Sequence, residues 1–367
     1  MEYDLCYSNR KCKERMMILS EYTISILDAH DDMAMKEVCR LLEKEGIQRD
    51  KNLDITLGLY DEDYHLVATG SCFANTLRCL AVDSDHQGEG LMNQVVSELI
   101  QYEAARGITK LFLYTKCKNA GIFQDLGFYE VARGKNSVLF MENRRNGFRS
   151  YLQQLQSSSP NCEGIIGAVL MNANPFTLGH QYLLEYAASQ CDQLHVFLVS
   201  EDVSLIPFSV RKRLVMQGTV HIPNLVFHET GSYLISNATF PSYFLKDQET
   251  VIRAHAQLDI SIFMEIAKYL HISIRFVGEE PFSLVTGIYN QVMESEMQQA
   301  GIACCILPRK ERDGRPISAS VVRRLLREGA WEQLQGLVPP ATLRFFQSRE
   351  AETILQMIRK ADDVTHY

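Results

Sequence analysis

The sequence lacks a hydrophobic run long enough to cross a bilayer, and its first residues lack the basic and apolar segments of a secretory signal. The uncharged stretch from Gly164 to His180 contains Asn172, Asn174 and Pro175, and is too short and too polar to span a membrane. We therefore expect a soluble, cytoplasmic protein without a membrane partner.

The ten cysteines include no Cys-x-x-Cys pair, which is the spacing of many zinc and redox sites. Disulfide frameworks are typical of small secreted chains, whereas this chain has 367 residues. We expect reduced cysteines that pack as small hydrophobic side chains, and no metal held directly by the protein.

Sustained basic runs are also missing, and 45 acidic residues outnumber 37 basic ones to give a net charge of −8. This balance argues against a nucleic-acid partner. Backbone N–H groups and a few arginines can still form local sites for anionic ligands.

The length exceeds what one hydrophobic core usually supports, so we predict two domains in an α/β chain. A Ser/Pro cluster at 157–161 is typical of a linker. The predicted first domain covers residues 1–150 and mixes strands with helices, and the predicted linker covers 151–163. The second domain, 164–367, alternates strands with helices and ends in further helices. That alternation predicts a Rossmann-like parallel sheet with ligands at the carboxyl ends of its strands.

A motif that opens a helix directly after the first strand of the second domain is the central functional signal. It reads Asn174-Pro175-Phe176-Thr177-Leu178-Gly179-His180. Free N–H groups at a helix start suit phosphate, and a glycine there allows the backbone to come close to a ligand. His180 could donate a hydrogen bond to an α-phosphate during attack, although an isolated histidine is more often structural.

A second motif, Ile317-Ser318-Ala319-Ser320-Val321-Val322-Arg323, opens a later helix. Ser318 suits an N-cap position, which is the simplest interpretation of that residue. Two hydroxyls, helix N–H groups and the guanidinium of Arg323 together suit a polyphosphate.

The two motifs together resemble the nucleotidyltransferase superfamily with T/H-x-G-H and I-S-x-S/T-x-x-R signatures. The resemblance implies that an α-phosphate is attacked and diphosphate leaves, with His180, Thr177 and Arg323 as catalytic residues. It also implies nucleotide binding by Asn174, Pro175, Phe176, Gly179, Ser318 and Ser320. Glu279 ends a strand on the ligand side of the sheet, where it could contact ribose, adenine or metal-bound water. Arg211 could reach phosphate, as basic residues often do there in this superfamily, or equally belong to a solvated basic turn.

A glycine-rich loop in the first domain, Gln87-Gly88-Glu89-Gly90, lies between a predicted strand and an amphipathic helix. With Gly127-Phe128 later in the chain, it resembles the pyrophosphate-binding loop of GNAT acetyltransferases. The resemblance implies that Gln87, Gly88 and Gly90 bind a coenzyme-A-like arm, while a tight turn without a ligand is the alternative. We find no convincing general base here; Glu89 and His86 are the nearest candidates.

The combination of a GNAT-like domain with this nucleotidyltransferase domain resembles the citrate (pro-3S)-lyase ligase family over nearly the whole chain. The likeness is dense at both motifs, at residues 236–244 and around Glu279 and Glu280. It implies an AMP-forming acid–thiol ligase that uses ATP, Mg²⁺ and acetate. The implied reaction passes through acetyl-adenylate and acetylates the thiol arm on the acyl carrier protein subunit (gamma chain) of citrate lyase, so that AMP and diphosphate are released.

Three other functions remain open from the residues alone. One is a nucleotidyltransferase that makes a coenzyme precursor, and another is an acyl-carrier-binding regulatory protein without catalysis. The third is an acetyltransferase whose second domain only senses ATP.

Overall fold

The computed structural model describes residues 22–50, 52–135, 138–200, 204–234, 248–279 and 284–361. The segment 236–244 and Glu280 lie outside these ranges. Contacts divide the described residues into two compact units. The first comprises residues 22–131 and 138–145, and the second comprises 132–135, 146–234 and 248–361.

The first unit is built on a seven-stranded sheet with the strand order β1-β2-β3-β4-β5-β7-β6. Strands β4 and β5 are parallel, whereas the pairs β1–β2, β2–β3, β3–β4 and β5–β7 are antiparallel. The strands are β1 Thr23–Leu27, β2 Ile55–Tyr60, β3 Leu66–Phe73, β4 Thr76–Val82, β5 Phe112–Lys116, β6 Tyr129–Arg133 and β7 Val138–Glu142.

Within the described residues, three α-helices accompany this sheet: α1 Asp32–Lys44, α2 Leu91–Ala105 and α3 Ala120–Asp125. Helix α1 begins where the Asp31 carboxylate accepts hydrogen bonds from two backbone N–H groups of the first turn. In α2 the buried residues Leu91, Val95 and Leu99 recur every four positions, so they form one apolar face. The sheet and this face of α2 enclose one hydrophobic core.

The second unit contains a five-stranded sheet with the order β10-β9-β8-β11-β12, in which every neighbouring pair is parallel. Its strands are β8 Ile166–Met171, β9 Gln193–Leu198, β10 Leu225–Glu229, β11 Ile274–Gly278 and β12 Ala303–Leu307. A small hairpin of β13 Glu311–Arg312 and β14 Arg315–Pro316 follows β12. The predicted parallel α/β fold is confirmed, and β8 and β9 are buried over nearly their whole length as parallel strands require.

The α-helices of the second unit alternate with its strands and then continue to the end of the described chain. They are α4 Gly147–Ser157, α5 Leu178–Ser189, α6 Phe208–Gly218, α7 Gln248–Leu270, α8 Leu284–Gln299, α9 Ala319–Glu328, α10 Trp331–Leu334, α11 Pro340–Phe346 and α12 Glu352–Lys360. None of the helices in the described ranges combines the length and the apolar composition that a bilayer crossing needs.

Helix α4 differs from the domain limits that the sequence predicted. Residues 151–157, predicted as part of a linker, complete this helix, and its first four residues, 147–150, lie within the predicted first domain. The Tyr151 hydroxyl donates to the Glu229 carbonyl at 2.9 Å, and its ring lies 4.8 Å from that of Tyr233. Because Phe148 also packs on Tyr233, the helix belongs to the second unit.

Candidate active site

A cavity of about 400 Å³ lies in the second unit at the carboxyl ends of β8, β11 and β12. The first turns of α5 and α9 also face it, so the positive ends of two helix dipoles meet at one cavity. The lining includes residues of both sequence motifs: Asn174, Thr177, Gly179, His180, Ser318, Ser320 and Arg323.

The loop between β8 and α5 holds a buried amide against this cavity. Asn174 is 2% exposed, and neither polar atom of its side chain has a hydrogen-bond partner among the described residues. A buried polar group without a partner costs about 1–3 kcal/mol. An amide in this state, in the wall of a cavity, is well suited to bind a polar ligand.

Thr177 and His180 form a capping box at the start of α5. The Thr177 hydroxyl accepts from the His180 backbone N–H at 3.3 Å, and His180 Nδ1 accepts from the Thr177 backbone N–H at 3.1 Å. A backbone N–H can only donate, so Nδ1 must be unprotonated. The proton of the neutral imidazole is therefore on Nε2.

The environment of His180 favours that neutral form. Removal from solvent, together with the smaller effect of the positive charges of Arg309 and Arg323, lowers the pKa of His180 to about 4. At neutral pH the imidazole consequently offers one N–H donor, at Nε2, and carries no charge. His180 can therefore act on a phosphate by donating a hydrogen bond, and not through the charge of an imidazolium.

Gly179 explains how two motifs far apart in the sequence come into contact. A Cβ atom at this position would lie 3.1 Å from the Ile317 carbonyl oxygen and 3.5 Å from Thr177 Oγ1. The first turn of α5 therefore packs directly on the residue before Ser318. Gly179 thus allows close approach of the second motif, and its predicted contact with a ligand stays a prediction.

The second motif combines capping with cavity lining. Ser318 is the N-cap of α9 and accepts from the Val321 backbone N–H at 3.3 Å, and its hydroxyl lies 3.0 Å from that of Ser320. Arg323 is 3% exposed, and its Nη1 donates to the Asn174 carbonyl oxygen. Arg323 thus lines the cavity and also holds the loop of the first motif in place.

Arg211 does not lie in the cavity wall. Its side chain is 1% exposed, with Nε 3.0 Å from the Ile206 carbonyl and Nη1 2.8 Å from the carbonyls of both Asn172 and Val199. The predicted solvated basic turn is wrong because Arg211 is buried, and its predicted phosphate contact stays a prediction although the residue does not line the cavity. The guanidinium joins backbone carbonyls at the carboxyl ends of β8 and β9.

Pro175 and Phe176 also lie away from the cavity lining. Phe176 is fully buried in the hydrophobic core, where its ring stacks at 6.0 Å on the imidazole of His180. Glu279 does line the cavity, as the sequence predicted, at the carboxyl end of β11.

Two cations in the cavity wall were missed from the sequence. Arg309 and Lys310 follow β12, and both line the cavity opposite residues of the two motifs. Their position directly after a parallel strand was the available signal, because ligands bind at carboxyl ends of strands. Within the described ranges, no group of three or more His, Cys, Asp or Glu side chains could hold a metal ion.

The first unit contains a separate cavity of about 630 Å³. It lies where β4 and β5 diverge, since these strands pair only through Thr76–Leu77 and Phe112–Leu113. Gln87, Gly88 and Gly90 all line it, as the sequence predicted.

The two loop glycines have backbone conformations that other residues rarely adopt. Gly88 has φ +91°, and Gly90, the N-cap of α2, has φ +77°. The basic side chains of Lys116 and Lys118 line the same cavity. The loop therefore presents a helix N-terminus beside positive charge, which suits an anionic group.

Two family models match the two units separately. Residues 24–130 match the Acetyltransferase (GNAT) family, and residues 166–346 match the Citrate lyase ligase C-terminal domain. The second match spans every residue that lines the 400 Å³ cavity.

Curated relatives match both units at once. A protein of Klebsiella pneumoniae named "[Citrate [pro-3S]-lyase] ligase" is 40% identical over 88% of this chain and 95% of its own length. Proteins of the same name from Escherichia coli (strain K12) and Haemophilus influenzae are 36% and 35% identical. These cover 87% and 83% of this chain, and 92% and 93% of their own lengths.

The chain belongs to the citrate lyase ligase family. This confirms the family resemblance inferred from the sequence. It also confirms the predicted GNAT-like fold of the first unit and the prediction that the protein is an enzyme. The citrate lyase ligase match includes Thr177, Gly179 and His180 as well as Ser318 and Arg323.

Proposed function

We propose that the chain is an AMP-forming acid–thiol ligase that acetylates the thiol arm on the acyl carrier subunit of citrate lyase. The observation that supports this most is the single cavity where both motifs meet around the neutral imidazole of His180. Family membership supplies the lyase as the protein acted upon.

The first step would join acetate to AMP. An acetate oxygen attacks the α-phosphorus of ATP, the bond to the β-phosphate breaks, and diphosphate leaves with the bonding electrons. No general base is needed because a carboxylate is already nucleophilic. The protein's task is then to position the reactants and to stabilise charge. His180 Nε2–H is the preorganised donor for the α-phosphate, and the N-termini of α5 and α9 provide partial positive charge.

The second step would transfer the acetyl group to sulfur. The thiolate of the carrier's arm attacks the acyl carbon, the carbon–oxygen bond to phosphate breaks, and AMP leaves. The thiol proton is lost to solvent when the thiolate forms. The cavity between β4 and β5 supports binding of the arm, because its loop of Gln87, Gly88 and Gly90 offers backbone N–H groups beside Lys116 and Lys118.

We further propose that Mg²⁺ binds together with ATP. Among the described residues, Glu279 is the carboxylate in the cavity wall that could contact the ion or a water bound to it, and phosphate oxygens would supply most ligands of the ion. When bound, the ion would neutralise phosphate charge. Eight described cysteines are free thiols, which fits the reducing cytoplasm that we propose as the location.

The decisive experiment incubates the full chain with ATP, acetate and deacetylated citrate lyase carrier, followed by mass spectrometry of the carrier. We expect an added acetyl group that requires both ATP and acetate. Exchange of label between diphosphate and ATP, measured with and without acetate, tests the first step alone. Exchange that does not need acetate, with no change of the carrier, would instead support a nucleotidyltransferase that makes a coenzyme precursor.

A further inference from the structure

The segment Arg309-Lys310 joins β12 to the hairpin of β13 and β14, and both side chains line the cavity. The Lys310 carbonyl accepts from the Ile317 backbone N–H at 2.9 Å, which closes the base of the hairpin. Asp313 and Gly314 form its tight turn with φ angles of +54° and +69°. The hairpin thereby fixes Lys310 beside the start of α9.

Each cation is also positioned by its own side chain. Arg309 Nε donates to the Glu279 carbonyl at 2.8 Å, which orients the guanidinium across the ends of β11 and β12. Lys310 Nζ lies 5.7 Å from the centre of the Tyr182 ring on α5. The charge of Arg309 acts on His180, since it lowers the pKa of that imidazole.

The charge balance of the cavity depends on these two residues. Among the described residues, its charged lining consists of Arg309, Lys310, Arg323 and Glu279, which gives three positive charges against one negative charge. Without Arg309 and Lys310, the charges of Arg323 and Glu279 would cancel. Arg323 moreover uses Nη1 to hold the Asn174 carbonyl, so it is less available for a ligand than the sequence implied.

We propose that Arg309 and Lys310 bind the β- and γ-phosphates of ATP and stabilise the diphosphate as it leaves. The inference rests on the proposed adenylation step and adds the residues that receive its leaving group. As the bond between the α-phosphorus and the bridging oxygen breaks, both electrons pass to that oxygen. Fixed cations beside the diphosphate stabilise the charge that develops there.

The test uses the full chain with Arg309→Gln, Lys310→Gln and the double variant. Arg315→Gln is the matched control, because Arg315 is an exposed arginine of the same hairpin that does not line the cavity. Calorimetry with inorganic diphosphate measures binding without catalysis. Each single substitution should weaken binding about tenfold or more, as expected for loss of a charge-assisted hydrogen bond. The control should bind like the wild type.

A second readout follows the acetate-dependent exchange of diphosphate with ATP. The double variant should lose at least about a hundredfold in this exchange, while its thermal unfolding matches that of the control. Wild-type affinity for diphosphate in the double variant would overturn the inference and leave the proposed function standing. A wild-type chain that binds diphosphate through these residues but shows no acetate-dependent exchange would overturn the proposed function and support the anion site.

Discussion

His180 uses its two ring nitrogens differently, and two substitutions separate their contributions. Nδ1 completes the capping box by accepting from the Thr177 backbone N–H, whereas Nε2 carries the proton assigned to the α-phosphate. Glutamine at the third helical position can accept the same backbone bond. His180→Gln therefore keeps the cap and removes the imidazole donor, and His180→Ala removes both.

The expected magnitudes differ for the two functions. Loss of one preorganised donor slows a reaction about 10²–10³-fold, so both variants should form AMP far more slowly. Loss of a cap costs about 1 kcal/mol of folding stability. We expect that cost in His180→Ala, whereas His180→Gln should unfold within about 0.5 kcal/mol of the wild type.

The pH dependence provides a sharper assay. The pKa of His180 is lowered to about 4 in the free protein, so its imidazole stays neutral as the pH falls from 8 to 5.5. The ratio of kcat/KM between wild type and His180→Gln cancels the ionisation of ATP. This ratio should stay constant over that range, since kcat/KM reports the free enzyme.

Two results would refute this account of His180. A ratio that rises about tenfold for each unit that the pH falls between 8 and 5.5 would show that the protonated imidazole is the active form. A folded His180→Ala chain that forms AMP within threefold of the wild-type rate would show that the donor is elsewhere.

Three further changes test other parts of the fold. Gly179→Ala should press a methyl group on the Ile317 carbonyl and separate the two motifs, which calorimetry would detect as at least about tenfold weaker ATP binding. Burial lowers the pKa of His195 to about 4 and that of His228 to about 3, so protonation favours the unfolded chain as the pH falls below 6.5. Each imidazole should lower the free energy of unfolding by about 2 kcal/mol between pH 7 and pH 5. Urea unfolding should show no such loss in the variant with both His195→Phe and His228→Phe. Gly88→Val with Gly90→Val should abolish acetylation of the carrier but retain acetate-dependent diphosphate exchange, because positive φ disfavours a side chain at both positions.

Helices and strands could be predicted from the sequence where their apolar residues recur at a regular spacing. The amphipathic helix predicted after the glycine-rich loop is Leu91–Ala105, because apolar residues at helical spacing indicate one buried face directly. Helix α4 was missed because the serines at its end resemble a linker, while its position depends on contacts with Tyr233 distant in the sequence.

Residues that line the cavity were predicted better than their roles. The motifs located Thr177 and His180, but the capping box that sets the tautomer emerged only from coordinates. The roles of Arg211 and Arg323 depend on carbonyl groups that no pattern of side chains reveals. Arg309 was not predicted because a cation after a strand is common. Its position becomes informative only once the cavity that it lines is known.

The divergence of β4 from β5 has a consequence for the lifetime of the protein in the cell. A gap within a sheet leaves strand edges that an extended ligand can occupy. Any ligand that binds only the folded chain shifts the folding equilibrium, by about 2.7 kcal/mol at a hundred times its Kd. If the carrier's arm fills this gap, cells that produce the carrier should accumulate more of the ligase than cells that lack it. Steady-state levels and proteolytic half-life would then report the supply of the partner, independently of catalysis.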